Sequence, residues 1–153
     1  MDAKYFEKIR IFDGGMGQEL LSKGLVSKGT LWSASALIEK EFHKLVIDAH
    51  ISYINAGADI IVTNNFSARK IRFIQNKVLD KFQYANEQAG ILANKAREIS
   101  KQNILIAGSL PSQSDTYVED ERSSSEIQSD FEEQAKIISP YVDFFYLDVV
   151  SSG

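Results

Sequence analysis

Four short apolar runs punctuate this chain, and between them apolar residues recur at steps of three and four. The runs cover residues 9–12, 59–63 (DIIVT), 103–108 (NILIAG) and 143–150 (DFFYLDVV). Each is rich in β-branched or aromatic residues, as expected of strands covered on both faces. Ile38, Phe42, Leu45, Val46, Ala49 and Tyr53 then form the stripe of a helix lying on a sheet. Val78, Phe82, Ala85, Ala89, Leu92, Ala96 and Ile99 repeat the stripe, and Ile127, Phe131, Ala135 and Ile138 repeat it more weakly. The pattern predicts four buried strands alternating with three crossover helices.

Local signals support those boundaries. Ser123 and Glu126 have the spacing of a capping box, which satisfies two backbone donors at a helix start. AGAD at 56–59 supplies a glycine where the first long helix should stop, and Pro140 helps end the third. Strand followed by helix, repeated, implies a parallel sheet with right-handed crossovers.

An open doubly wound sheet and part of a (β/α)8 barrel both satisfy that order. Polar residues close the runs: Asp13; Thr63 with Asn64 and Asn65; Ser109; and Asp148. A barrel gathers such strand ends round one mouth, whereas an open sheet concentrates its ligand at a switch point. The expected fold is therefore α/β, a partial TIM barrel of about four βα units, with residues 1–8 an N-terminal extension and 9–153 the half-barrel. The polar stretch 111–125, PSQSDTYVEDERSSS, exceeds a minimal βα turn; a mobile functional loop and a tolerated surface insertion both fit it.

Composition narrows the chemistry. The 153 residues are 44% hydrophobic and 25% charged, in keeping with a globular domain. A net charge of −4 argues against a nucleic-acid partner, and the basic cluster Arg69, Lys70 and Arg72 reads as a solvated face. No run reaches the length of a membrane span, and charged residues at the amino terminus (Asp2, Lys4, Glu7 and Lys8) do not resemble a signal peptide. The expected setting is cytoplasmic. Zero cysteines exclude disulfides, thiol nucleophiles and thiolate metal sites within these residues.

The segment FDGGMGQEL, residues 12–20, places an aspartate and three glycines where the first run meets a helical pattern. It lacks the third glycine of the dinucleotide fingerprint, and no glycine-lysine-serine/threonine sequence follows. A tight turn and a floor that lets backbone approach a small ligand remain open.

FDGGMGQELLSKG, LWSASAL, AHISYINAGADIIVTNNFSA and ILIAGSLPS, taken in order, resemble the amino-terminal half of the homocysteine S-methyltransferase family. The resemblance implies a (β/α)8 barrel of about twice this length, and transfer of a methyl group from a sulfonium, betaine or folate donor to the homocysteine thiol, giving methionine. It also implies zinc, held by three cysteines in the second half of the barrel, keeping the homocysteine sulfur as thiolate. Those ligands are absent here, and His43 and His50 read as structural.

By the same resemblance, Asp13 and Gly14 hold the amino-acid end of homocysteine, and Thr63 donates to its carboxylate. Asp148 stands where the family has a glutamate, its side chain one methylene shorter, and Pro111-Ser112 replaces a Gly-Pro pair. No catalytic and no metal-binding residue is assigned. The leading reading is the front half of such an enzyme, inactive alone, with exposed strand edges that pair with a carboxy-terminal half-barrel or with another copy. A non-catalytic half-barrel binding a small ligand or partner, and an open α/β nucleotide-binding domain, are the alternatives.

Overall fold

The computed structural model describes residues 3–115 and 119–150. Six α-helices occur among them: α1 (Met16–Ser22), α2 (Ser35–Ile38), α3 (His43–Asn55), α4 (Lys70–Gln75), α5 (Phe82–Ser100) and α6 (Ser124–Ile138). Strands β1 (Ile60–Val62), β2 (Leu105–Pro111) and β3 (Phe144–Asp148) form one parallel sheet in the order β1-β2-β3. No helix among the described residues is long and apolar enough to cross a membrane.

The expected strand at 9–12 contracts to a single parallel bridge between Phe12 and Ile60. Its ladder is diverted by a side chain: Asp59 Oδ2 accepts the Ile11 amide at 2.9 Å, while Ile11 O accepts from both Asp59 N and Ile60 N. In contrast, β2 runs beyond the expected end at Gly108, because residues 107–111 pair in register with all of β3. Pro111 occupies the last position, where its missing N–H does least harm.

The three crossover helices appear as α3, α5 and α6. The first stripe is broken at Glu39, whose extended backbone separates α2 from the turn leading into α3. Gly57, at φ +103°, follows α3 and adopts a conformation that a side chain would oppose. The capping box opens α6: Ser123 N donates to Glu126 Oε2 at 3.0 Å and Glu126 N to Ser123 Oγ at 3.4 Å. Such a cap contributes about 1 kcal/mol.

Two apolar clusters hold these elements. Ile54, Ala93, Ala96, Ile61 and Ile106 join α3 and α5 to the outer face of the sheet. Leu20, Leu37, Val46, Phe73, Phe82 and Leu92 tie the shorter helices to the same pair. Phe73 is fully buried, edge-on to Phe82 at 5.7 Å, and truncating such a side chain to alanine costs roughly 3–5 kcal/mol. Gly90 gives α5 a flat spot for the Tyr141 ring.

The sheet is curled. Phe12 precedes it and Tyr146 lies on its last strand, yet their ring centroids are 5.3 Å apart. With side chains standing perpendicular to a flat sheet, the two rings would lie about as far apart as their backbones, ~14 Å across three intervals. The amino-terminal turn Ala3–Glu7 packs onto the start of β3, with Phe6 and Phe144 edge to face at 5.6 Å. Ile9, Ile11, Phe145, Leu147 and Val149 remain exposed at the two ends of the curl.

In the basic cluster Arg69 departs from its expectation as a solvated face, while Lys70 and Arg72 stay partly exposed. Arg69 is 1% exposed, and its guanidinium donates to Ser112 O and Ser114 O, fastening the stretch after β2 to the start of α4. Buried carbonyls can hold a guanidinium because it offers five donors. The centre of the expected loop, residues 116–118, lies outside the described residues.

Candidate functional site

At the carboxyl ends of the strands lies a cavity of about 310 Å³, lined by Asp13, Gly14, Gly17, Trp32, Thr63 and Asp148 among others. All four residues singled out by sequence therefore meet at one hollow, although they come from three separate stretches of chain.

Two of its glycines serve aromatic side chains. A Cβ on Gly14 would lie 2.9 Å from Tyr53 Cε1, and one on Gly17 would collide with the Trp32 indole. Trp32 itself has φ +47° and ψ −121°, an uncommon conformation for a bulky residue. Asn64 Nδ2 holds the adjoining Ser33 carbonyl at 3.2 Å, fixing this strained loop as one wall. Trp32 was missed by sequence reasoning because a positive φ at tryptophan leaves no periodic signal.

Two carboxylates face the hollow. Asp13 Oδ2 accepts the Val62 amide at 2.9 Å, locking the segment before α1 to β1. Burial pushes Asp13 up to about 7; the Val62 bond opposes the rise and the Asp148 charge adds to it. Asp148 Oδ2 accepts from Ser109 Oγ at 2.8 Å. Burial raises its pKa as well, against the hydroxyl's pull. Two desolvated acids on one cavity favour a cationic guest, which relieves both the desolvation and the mutual repulsion.

Behind Asp13 stands His50, fully buried, with Nδ1 4.0 Å from Asp13 Oδ2 and neither ring nitrogen hydrogen-bonded. Burial lowers its pKa to about 4, so the imidazole is neutral at pH 7. His43, on the same helix, is conventionally satisfied, with Nε2 3.0 Å from Leu37 O.

Thr63 belongs to a different environment. Its hydroxyl donates to Asn65 Oδ1 at 2.6 Å and accepts from Ser109 N at 3.0 Å. Asn65 Nδ2 continues to Ser109 O and Asn86 Oδ1, and Gln134 Nε2 also donates to Asn86 Oδ1. Asn86 Nδ2 reaches Ala68 O and Phe82 O, while Gln113 bonds Gln134 Oε1. This network joins β1, β2, α5 and α6 beneath the rim. For Thr63 to donate to a ligand carboxylate, its proton must leave Asn65.

The donor set does not fit a thiolate zinc site. The chain has no cysteine, and no group of three or more His, Cys, Asp or Glu suited to a metal occurs among the described residues.

A parallel sheet wrapped by crossover helices, with a cavity at its strand ends, defines an α/β fold. The sequence model of the homocysteine S-methyltransferase family matches residues 10–152, and the chain belongs to that family. Homocysteine S-methyltransferase from Escherichia coli is 32% identical over 115 residues, covering 68% of this chain and 35% of that protein. Homocysteine S-methyltransferase 1 of Zea mays is 36% identical over 64 residues, 42% of this chain and 19% of that one. The crystal structure of the metallated E. coli homocysteine methyltransferase MmuM superposes with a TM-score of 0.77 at 26% identity, covering 94% of this chain and 55% of its own. The chain thus spans about half the length of that solved relative.

Proposed function

We propose that the cavity binds the amino-acid end of homocysteine, as one part of a homocysteine S-methyltransferase. Asp13 and Asp148 receive the ammonium group, and Gly14 with Thr63 face the substrate carboxylate. The observation that carries this reading is the convergence of a buried carboxylate, Asp13, and a half-buried one, Asp148, on a single hollow, since paired acids select a cation. The shorter Asp148 keeps its place through Ser109. Family membership supports homocysteine as the guest and a sulfonium, betaine or folate as methyl donor.

The proposal extends to architecture and activity. Sequential strand order and a curled sheet support half of a (β/α)8 barrel, residues 9–153, preceded by a short extension over 1–8. Exposed Ile11, Phe145 and Leu147 at its ends suit a carboxy-terminal half-barrel or a second copy. Zinc and the ligands that hold it come from outside these 153 residues, so this chain alone transfers no methyl group. A thiol substrate supports a reducing, cytoplasmic setting.

Equilibrium dialysis against radiolabelled L-homocysteine tests the binding claim, and methionine formation with added zinc and S-methylmethionine tests the inactivity. Saturable homocysteine binding without turnover is expected. Absence of binding overturns the site assignment, and turnover above the protein-free rate overturns the claimed inactivity.

A further inference from the structure

His50 occupies an unusual position for a buried side chain. Both ring nitrogens lack hydrogen bonds, although α3 brings Nδ1 within 4.0 Å of Asp13 Oδ2 while His50 itself does not line the cavity. The 4.0 Å separation is too long for a hydrogen bond, yet a movement of about 1 Å closes it. Asp13 Oδ2 already accepts the Val62 amide and, being a carboxylate oxygen when ionised, has a second lone pair to offer.

We propose that His50 is a positioning residue for Asp13: when a cationic amine occupies the cavity, Nδ1–H of the neutral imidazole donates to Asp13 Oδ2 and holds the carboxylate against the guest. This rests on the amino-acid-binding role assigned above and adds a residue to it. His50 touches no ligand. It acts from behind, so that an orphaned donor becomes satisfied only in the occupied state.

The groups facing Asp13 are His50 and Tyr53 from α3, Asp148 from β3 and the Val62 amide from β1; Glu19 of α1 acts on Tyr53. With Asp13 half protonated near pH 7, an ammonium guest must displace its proton to solvent at lower pH. Affinity therefore falls below neutrality, and because the Nδ1 bond forms only in the occupied state, its loss weakens binding without moving the onset of that fall.

The test is calorimetric titration of L-homocysteine from pH 5.5 to 8.5 into wild type, His50→Phe and His50→Asn, with 15N NMR of the imidazole nitrogens in wild type. His50→Phe is expected to bind about tenfold more weakly at pH 7 with the onset of its acid fall unmoved, whereas His50→Asn, whose Nδ2 overlies Nδ1, recovers part of the lost affinity. On saturation Nδ1 of His50 should shift as a hydrogen-bonded N–H, with His43 unmoved. The NMR arm needs no variant to fold. Wild-type binding with unmoved His50 resonances, or with undiminished affinity in His50→Phe, overturns this inference alone. No binding by wild type overturns the amino-acid-binding role, and this inference with it.

Discussion

Two polar clusters lie side by side beneath the rim, and they differ in one respect. Around Thr63, Asn65, Asn86 and Gln134, almost every buried donor meets an acceptor within the protein. Around Asp13, Asp148 and His50, two carboxylates are desolvated and an imidazole has no partner. Polar groups buried without partners are disfavoured by roughly 1–3 kcal/mol each. Apart from Thr63, which also lines the cavity, the satisfied cluster is scaffold; on the proposed reading, the unsatisfied one stores the interaction that a ligand completes.

That contrast is broken most sharply by exchanging stability for binding. Asn86→Leu removes the centre of the satisfied network and should destabilise by about 3 kcal/mol in urea unfolding. An unchanged midpoint would deny the network its structural role. Asp13→Asn should do the reverse, weakening L-homocysteine binding about a hundredfold while leaving the protein at least as stable at pH 7. Calorimetry and unfolding on the same sample separate the two.

A smaller effect is expected at the wall. Gly17→Ala places a methyl group in the Trp32 ring and should cost about 1–2 kcal/mol. Trp32 is the single tryptophan, so its emission reports the displacement directly. Unaltered emission would mean that the indole does not rest on residue 17.

The subtlest effect concerns pH. Asp13 is raised from an ordinary 3.8 to about 7, so its contribution to stability is lost as pH rises through that interval. His50 is lowered from 6.5 to about 4, so its contribution is lost as pH falls. Relative to wild type, Asp13→Asn should gain stability from pH 4 to 7, and His50→Phe should gain it from pH 6.5 to 4. Parallel curves would contradict both shifts.

The rim was legible in the sequence because polar residues closing apolar runs mark strand ends, and Asp13, Thr63 and Asp148 do meet at one cavity. Three crossover helices were legible from periodicity. The strand at 9–12 was not, since nothing local reveals that Asp59 diverts its ladder. Arg69 looked like surface because its burial depends on carbonyls more than forty residues away. Trp32 and the placement of His50 behind Asp13 are likewise tertiary facts, set by how α3 and the 29–34 turn pack.

The most direct measurement is a crystal structure of this chain with L-homocysteine. The account predicts its amine within about 3.2 Å of carboxylate oxygens of both Asp13 and Asp148. An amine held elsewhere, with the two carboxylates left facing an empty hollow, would contradict it.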